Sequence, residues 1–379
     1  MTPPARAIRA TRDAGADTGF DAAGIACPWA GEREPHGGPD AQGPARFDFS
    51  SNGNAAGPLR SVARAVRCAD RSRYPDPGYN ALRERLAAAH DVDPARVVIA
   101  GSASEFVHRI THGLALRGRA RRALVPEPGY QEYRDAAALD GLAVSASAAA
   151  AWAAPHGGDL LWLTEPASPS GATAIGALGA GIARARRAGA VVVIDLAYQP
   201  LRLDGQALPA EVDDAWQLWS PNKACGMTGV RGAYAIAPRG TEASAAALRA
   251  RAPSWVTGVD GVALLEAFAG AQAQDELARS LARLRRWRSA LAALLKAAGW
   301  QTREAASVTP FFMARSPAPI DFAALRARGI KLRDTTSMGA PGWVRVSAQP
   351  PLALAALAEA IGRPAASLRT GARVAGDSQ

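Results

Sequence analysis

The chain has 379 residues, 48% of them hydrophobic, and a formal net charge of +10, which is room for one large buried core and a second, smaller one. Its basic balance invites a nucleic-acid partner, but the arginines are scattered through Ala-rich helical stretches (182–187, 277–288, 325–328) with no aromatic interleaving. No zinc-finger, helix-turn-helix or RNA-binding signature accompanies them, so neither nucleic acid nor, in the absence of a run of about 18 apolar residues, a membrane is the expected partner.

Residues 1–45 are rich in Gly, Ala, Pro and charge and have little apolar periodicity, which predicts a loose arm. No apolar segment near the first methionine has the character of a signal peptide. Cys27, Cys68 and Cys225 are widely spaced and form no CxxC pair, so neither a disulfide framework nor a zinc site is expected, and a soluble, cytoplasmic protein fits. From Phe47 the text becomes organised. The run Asp48-Phe49-Ser50-Ser51-Asn52-Gly53-Asn54 reads as a polar turn of the kind that lines a site, and 59–68 as an amphipathic helix. A second irregular loop, Arg73-Tyr74-Pro75-Asp76-Pro77-Gly78-Tyr79, precedes a helix over 82–90.

Alternating units follow. Strands are expected at 97–100, 122–126, 160–163 and 190–195, separated by helices from 101 to about 116, over 130–139 and over 172–187. Strands that are apolar throughout and alternate with helices predict an α/β fold with a mainly parallel sheet covered on both faces. Ligands in such sheets sit at the carboxyl ends of the strands. The chemistry-bearing residues fall there. Ser102, Ala103 and Ser104 follow a strand and open a helix, a positive terminus suited to a phosphate as well as an ordinary serine cap. Asp195 ends the most apolar strand, where an ionised carboxylate requires a cationic partner, and Tyr198 stands three residues on.

Only three lysines occur, Lys223, Lys296 and Lys331, which leaves 41 arginines of the 44 basic residues (44 less 3). Lys223 lies between strand-like runs at 214–220 and 232–237, at the mouth of the sheet, flanked by Ser220 and Arg231. A lysine amine, unlike a guanidinium, can be deprotonated and attack a carbonyl, so this is the candidate imine-forming lysine. Beyond Arg231, helices are expected over 242–252, over 262–295 as one long or two joined helices, over 320–327 and over 352–361. Strands are expected at 308–314, 331–333 and 344–346. The order predicts a smaller α+β domain. The boundaries expected are an arm to 45, a large domain at 46–255, a small one at 256–370 and a tail at 371–379. Arg333-Asp334, ahead of a disordered-looking Thr335-Thr336-Ser337, offers either a second anion contact or a surface ion pair.

These residues, in this order and spacing from about Phe47 to Pro350, resemble the fold-type I pyridoxal 5′-phosphate (PLP) enzymes. The likeness is to the class I/II aminotransferase superfamily, in the branch that holds histidinol-phosphate aminotransferase and threonine-phosphate decarboxylase. The resemblance implies that Lys223 holds PLP as a Schiff base and that Ser220 and Arg231 bind its phosphate, helped by the amides of Ser102 and Ala103 with Ser104 beside them. It implies that Asp195 pairs with the pyridine nitrogen, Tyr198 hydrogen-bonds the ring hydroxyl, Tyr130 stacks on the ring and Tyr74 reaches the phosphate of the other subunit of a homodimer. Arg345, in Trp343-Val344-Arg345-Val346, would take the carboxylate or phosphate of a small amino substrate, with Asn52 lining the substrate side.

One position departs from the family. Ser168-Pro169-Ser170-Gly171 stands where Asn-Pro-Thr-Gly is usual, and a shorter serine replaces the asparagine that bonds the ring hydroxyl; Glu165-Pro166-Ala167 ahead of it is also unusual. The reaction expected is amino transfer from an L-amino acid or amino-alcohol phosphate. Decarboxylation of O-phosphorylated L-threonine is the alternative, and a PLP-binding regulatory protein the third reading.

Overall fold

The computed structural model describes residues 37–147 and 155–362. In chain order the elements begin with β1 (Phe47–Asp48), α1 (Arg60–Cys68), α2 (Asn80–His90), β2 (Val97–Ala100), α3 (Ala103–Leu116) and β3 (Arg122–Pro126). They continue with α4 (Glu132–Leu139), β4 (Ala143–Ser147), β5 (Asp159–Thr164), α5 (Ile175–Arg187), β6 (Val191–Asp195), β7 (Trp216–Trp219) and β8 (Ala233–Ile236). After these come α6 (Glu242–Arg249), α7 (Val259–Phe268), α8 (Ala271–Ala297), β9 (Gln301–Thr302), β10 (Phe311–Arg315) and α9 (Phe322–Ala327). The last are β11 (Ile330–Lys331), β12 (Arg333–Asp334), β13 (Val344–Ser347) and α10 (Pro351–Ala360).

Seven strands form the main sheet in the order β2-β8-β7-β6-β5-β3-β4. The pairs β3/β4, β3/β5, β5/β6 and β6/β7 are parallel, and β8 runs antiparallel to both β7 and β2. The central strands are mostly apolar because both faces are covered. Leu160, Trp162 and Val193 point into a core built with Phe106, Ile110 and Tyr133 of α3 and α4. Their neighbours Leu161, Val192 and Ile194 point the other way, onto Leu178 and Ile182 of α5. Each such side chain contributes about 1.5–3 kcal/mol by leaving water. Register places Thr164 level with Asp195 and Asp195 level with Leu218 at one rim, so the loop after β7 starts beside the Asp195 carboxylate.

The second sheet, β12-β13-β10-β9, is antiparallel and packs Phe312, Val344 and Val346 against Leu291, Leu295 and Leu357 of α8 and α10. β1 pairs in parallel with β11, so residues 47–48 join the carboxyl-terminal part of the chain.

Several expectations need correction. Residues 37–45 are not loose: Asp40 accepts from Arg326 Nη2 at 3.0 Å and from Lys331 Nζ at 2.9 Å; the arm's earlier residues and the tail lie outside the described residues. The strand expected at 331–333 divides at buried Leu332, β11 pairing with β1 and β12 with β13. Thr335 is fully buried and donates to the carbonyls of Ala340 and Trp343 at 2.8 Å, so 335–337 is a fixed turn. Helix α5 starts at Ile175, since Thr173 Oγ1 and the Ala174 amide are engaged by Glu165. Of the two readings of the 262–295 stretch, two joined helices holds: α7 and the 27-residue α8 meet at Gly270. Edge strand β4, Ala-Val-Ser-Ala-Ser, carries too little apolar alternation to be read in advance.

Candidate active site

Lys223 sits in the turn that follows β7. Asn54 fixes the turn: its amide donates to the Lys223 carbonyl at 2.8 Å and its Nδ2 to the Ala224 carbonyl at 3.0 Å. Gly226 closes it at φ +67°, where a Cβ would stand 2.7 Å from the Gly57 carbonyl oxygen, so only glycine fits. The buried Asn222 braces the same turn, accepting from Ser220 Oγ at 3.0 Å and donating to the carbonyls of Thr228 and Val230. The other two lysines are committed, Lys296 to Glu304 at 3.1 Å and Lys331 to Asp40. The Lys223 ammonium instead lies 5.3 Å from the centroid of the Tyr198 ring.

Asp195 ends β6 in a fully desolvated position. Its Oδ2 accepts from Tyr133 Oη at 2.7 Å and its Oδ1 from the Ala197 amide at 2.9 Å. Burial pushes the carboxyl above its ordinary range, while the charge of Lys223 and these two donors pull against that. Tyr133, on α4, was not anticipated from the sequence. It is completely buried, stacks on Trp162 at 4.7 Å, and burial raises its phenol well above the usual value, keeping it a donor.

From Asp195 the site continues through aromatics. Tyr130 meets Tyr133 edge-on at 5.5 Å, and its hydroxyl lies 2.9 Å from Ser104 Oγ. Ser102 caps α3, its Oγ accepting from the Glu105 amide at 3.0 Å; Ala103 opens that helix, whose amino terminus faces the site. On the opposite side Tyr198 Oη accepts from Asn52 Nδ2 at 3.2 Å.

The second sheet supplies arginines. Arg333 and Arg345 are directly opposite across β12 and β13, on one face of the sheet, and both are buried. Like charges so placed repel. Arg345 donates to the Ser50 carbonyl at 2.8 Å and to Ser168 Oγ at 3.1 Å; Arg333 donates to Ser337 Oγ at 3.1 Å. Burial lowers the Arg345 guanidinium from its ordinary value, with the fields of Tyr198 and Asp48 opposing.

The loop that carries Ser168 is held by a buried ion pair that the sequence did not disclose. Glu165 accepts from Arg202 Nη1 at 2.6 Å, from Thr173 Oγ1 at 2.5 Å and from the Ala174 amide at 2.8 Å, and Arg202 also reaches Asp204. Gly171, at φ +71°, is pressed onto the second sheet's approach: a Cβ there would stand 2.2 Å from Ser307 Oγ. The Glu-Pro-Ala run flagged in the sequence is the near half of this brace, but its partner lies 37 residues on.

Two expected site residues stand apart in the single chain. Tyr74 is 76% exposed and stacks on Trp255 at 4.2 Å, and Arg231 is exposed, its Nη1 donating to the Thr228 carbonyl at 3.4 Å. The contacts of the remaining residues bring together an amine, a buried carboxylate, an aromatic stack, a helix amino terminus and two arginines. Among the described residues Asn52 Oδ1 and Arg345 Nε are buried there with no partner, and both point to a polar ligand.

Residues 46–363 match the sequence pattern of a family described as aminotransferase class I and II. A histidinol-phosphate aminotransferase of Symbiobacterium thermophilum is 30% identical over 318 residues, 80% of this chain and 86% of its own length. The threonine-phosphate decarboxylase of Salmonella typhimurium is 38% identical over 100 residues, 25% of this chain and 26% of its own. Among solved structures, the histidinol-phosphate aminotransferase of Sinorhizobium meliloti in complex with pyridoxal-5′-phosphate superposes with a TM-score of 0.67 at 22% identity. That match covers 85% of this chain and 90% of the other, and it supports the fold.

Proposed function

This chain belongs to the class I and II aminotransferase family, and on that premise we propose that it transfers an amino group to or from a small phosphorylated amino compound, as histidinol-phosphate aminotransferases do. The fold and the PLP dependence follow from membership of the family. The observation that carries the substrate class is the buried cross-strand pair Arg333–Arg345. Two guanidinium groups on one face of a sheet are tolerated where an anion lies between them, and the planar fork suits a phosphate or carboxylate.

The cleft fits the cofactor. Asp195 is a buried carboxylate whose hydrogen bonds leave its charge in want of a cation, which a protonated pyridine nitrogen provides. Bound there, PLP supplies an electron sink for the bonds at the substrate's Cα. Lys223 is the residue we assign to the covalent link and to carrying the proton at Cα. Ser102, Ala103, Ser104, Ser220 and Arg231 are assigned to the phosphate, and Tyr130 to the ring face. Tyr198, fixed by Asn52, and Ser168 are assigned to the ring hydroxyl, while Arg345, Arg333 and Asn52 orient the substrate. Tyr198 lies beside the Lys223 amine and is fixed by Asn52, and on this reading the pair keeps the substrate's Cα toward the proton carrier.

We read residues 46–255 as the lobe that holds the cofactor and 256–370 as the lobe that closes on the substrate. The exposed Tyr74–Trp255 stack supports a homodimer in which Tyr74 serves the neighbouring subunit's phosphate site. A cytoplasmic setting agrees with the unpaired Cys68 and Cys225, and no helix among the described residues is long and apolar enough to cross a membrane.

The 100-residue match to a threonine-phosphate decarboxylase favours a second reading, in which the same arginines hold the phosphate of an amino acid that loses its carboxylate. One experiment separates them. The PLP-loaded enzyme is given histidinol phosphate with a 2-oxo acid, and separately O-phospho-L-threonine, with amino-group transfer and carbon dioxide release both followed. Transfer without release is the expected result. Carbon dioxide from phosphothreonine with no transfer would establish the decarboxylase instead.

A further inference from the structure

The catalytic cleft uses the carboxyl edge of the main sheet. At the opposite edge lies a second cavity of about 460 Å³, within the size range of small-molecule sites. Val191 lines it at the first residue of β6, and Asp195 ends the same strand in the catalytic cleft, four steps of about 3.3 Å or roughly 13 Å away. Trp216, at the start of β7, and Arg239, just past the end of antiparallel β8, mark the same edge.

Its wall is strongly basic. Arg117, Arg119, Arg186, Arg239 and Arg251 line it against one carboxylate, Asp214, so five guanidinium groups less one carboxylate leave a formal +4. Arg186 pairs with Asp214, and Arg239 shares Asp213, which lies outside the cavity, at 3.5 Å. Arg117, Arg119 and Arg251 have no carboxylate partner within 4 Å among the described residues. The floor is apolar and made of buried side chains, Ile110, Val192, Trp216 and Leu248. The Arg251 side chain lies along it, its Cδ 3.4 Å from where a Cβ on Gly113 of α3 would be, so the absence of a side chain at 113 keeps that wall open.

We propose that this cleft is a second ligand site, separate from the catalytic one, that binds a di- or triphosphate group. A concave basic surface over an apolar floor concentrates anions, and several guanidinium forks match a chain of phosphates where a single carboxylate would leave most of them repelling one another. The phosphates reach the site on a nucleotide, whose base lies on the apolar floor, or as inorganic polyphosphate.

The test uses the full chain loaded with PLP, so that the catalytic phosphate subsite is filled. ATP and inorganic tripolyphosphate are titrated by calorimetry at a fixed ionic strength of about 0.1 M. Both are expected to bind with one site per chain, and Arg119→Gln/Arg251→Gln to weaken both at least tenfold without changing turnover. Arg279→Gln/Arg283→Gln, which removes the same charge from exposed positions on α8, should leave them unchanged. ATP binding tighter than tripolyphosphate assigns a nucleotide, and equal binding assigns the phosphate chain alone. No binding of either, equal weakening by the α8 control, or binding seen only when PLP is absent would overturn the site. The arginines would then do no more than complement the carboxyl ends of α3, α5 and α6.

Discussion

The Tyr133 hydroxyl donates to Asp195 Oδ2 at 2.7 Å from a position with no access to water. That bond favours the ionised carboxylate in a place where burial disfavours it, so under the proposed role of Asp195 the Tyr133 hydroxyl helps keep the carboxylate charged for the cofactor. Tyr133→Phe removes the donor and little volume. A hydrogen bond to a charged group is worth roughly 1.5–3 kcal/mol, so PLP should dissociate about 10- to 100-fold more readily. Equilibrium dialysis of the cofactor measures this, and an affinity equal to wild type would remove Tyr133 from the site.

Ser168 accepts from Arg345 at 3.1 Å, which ties the departure from the family pattern to the arginine proposed to hold the substrate. Ser168→Ala leaves one Arg345 N–H without its partner and should raise KM by about tenfold with a smaller change in kcat. Ser168→Asn restores a donor of family length; it should tighten PLP and lower the pKa seen in the cofactor's absorbance titration, because the bond favours the deprotonated ring oxygen. If the titration and the affinity are both unmoved, the side chain at 168 serves Arg345 alone.

The buried pair Glu165–Arg202 is expected to matter to stability before it matters to rate. Arg202→Met strands a desolvated carboxylate and should cost about 3–5 kcal/mol in urea unfolding, whereas Glu165→Met/Arg202→Met should recover much of the loss. A double variant as unstable as the single one would show that the pair's hydrogen bonds to Thr173 and Ala174, and not its charge, fix the loop.

His90 gives the acid limb of stability a specific source. Burial lowers its pKa from 6.5 to about 4, and its Nε2 lies 2.7 Å from Tyr234 Oη. The folded pKa is depressed, so the unfolded chain binds the proton first. The contribution is therefore complete above about pH 6.5 and is lost as the pH falls toward 4. The shift corresponds to about 3 kcal/mol. The fall in unfolding free energy between pH 7 and pH 4 should be smaller by about that amount in His90→Gln. An equal fall in both proteins would place the acid sensitivity elsewhere.

The strands, and the strand ends at which the candidate residues stand, were legible because each is a local signal. Val191–Asp195 is a run of β-branched residues closed by a carboxylate, and Lys223 stands out in a chain with three lysines. What was not legible depends on distance. Tyr133 lies in Glu-Tyr-Arg-Asp, an ordinary amphipathic helix, and reaches Asp195 only because α4 packs on β3 and β4 and carries the phenol across Trp162 of β5 to the end of β6. Glu165 was conspicuous in the sequence, but Arg202 gives no local sign of being its partner. The cross-strand meeting of Arg333 and Arg345 needs the register of β12 with β13, which the expected single strand over 331–333 did not contain.

The central claim is that Lys223 carries the cofactor. The direct measurement is borohydride treatment of the PLP-loaded protein followed by peptide mass analysis. The pyridoxyl mass is expected on the peptide that contains Lys223 and on no other. Lys223→Ala should give a folded protein without the label, with turnover reduced by roughly 10²–10⁴-fold or more through loss of the proton carrier alone. A label on Lys296 or Lys331, or normal turnover in Lys223→Ala, would contradict it.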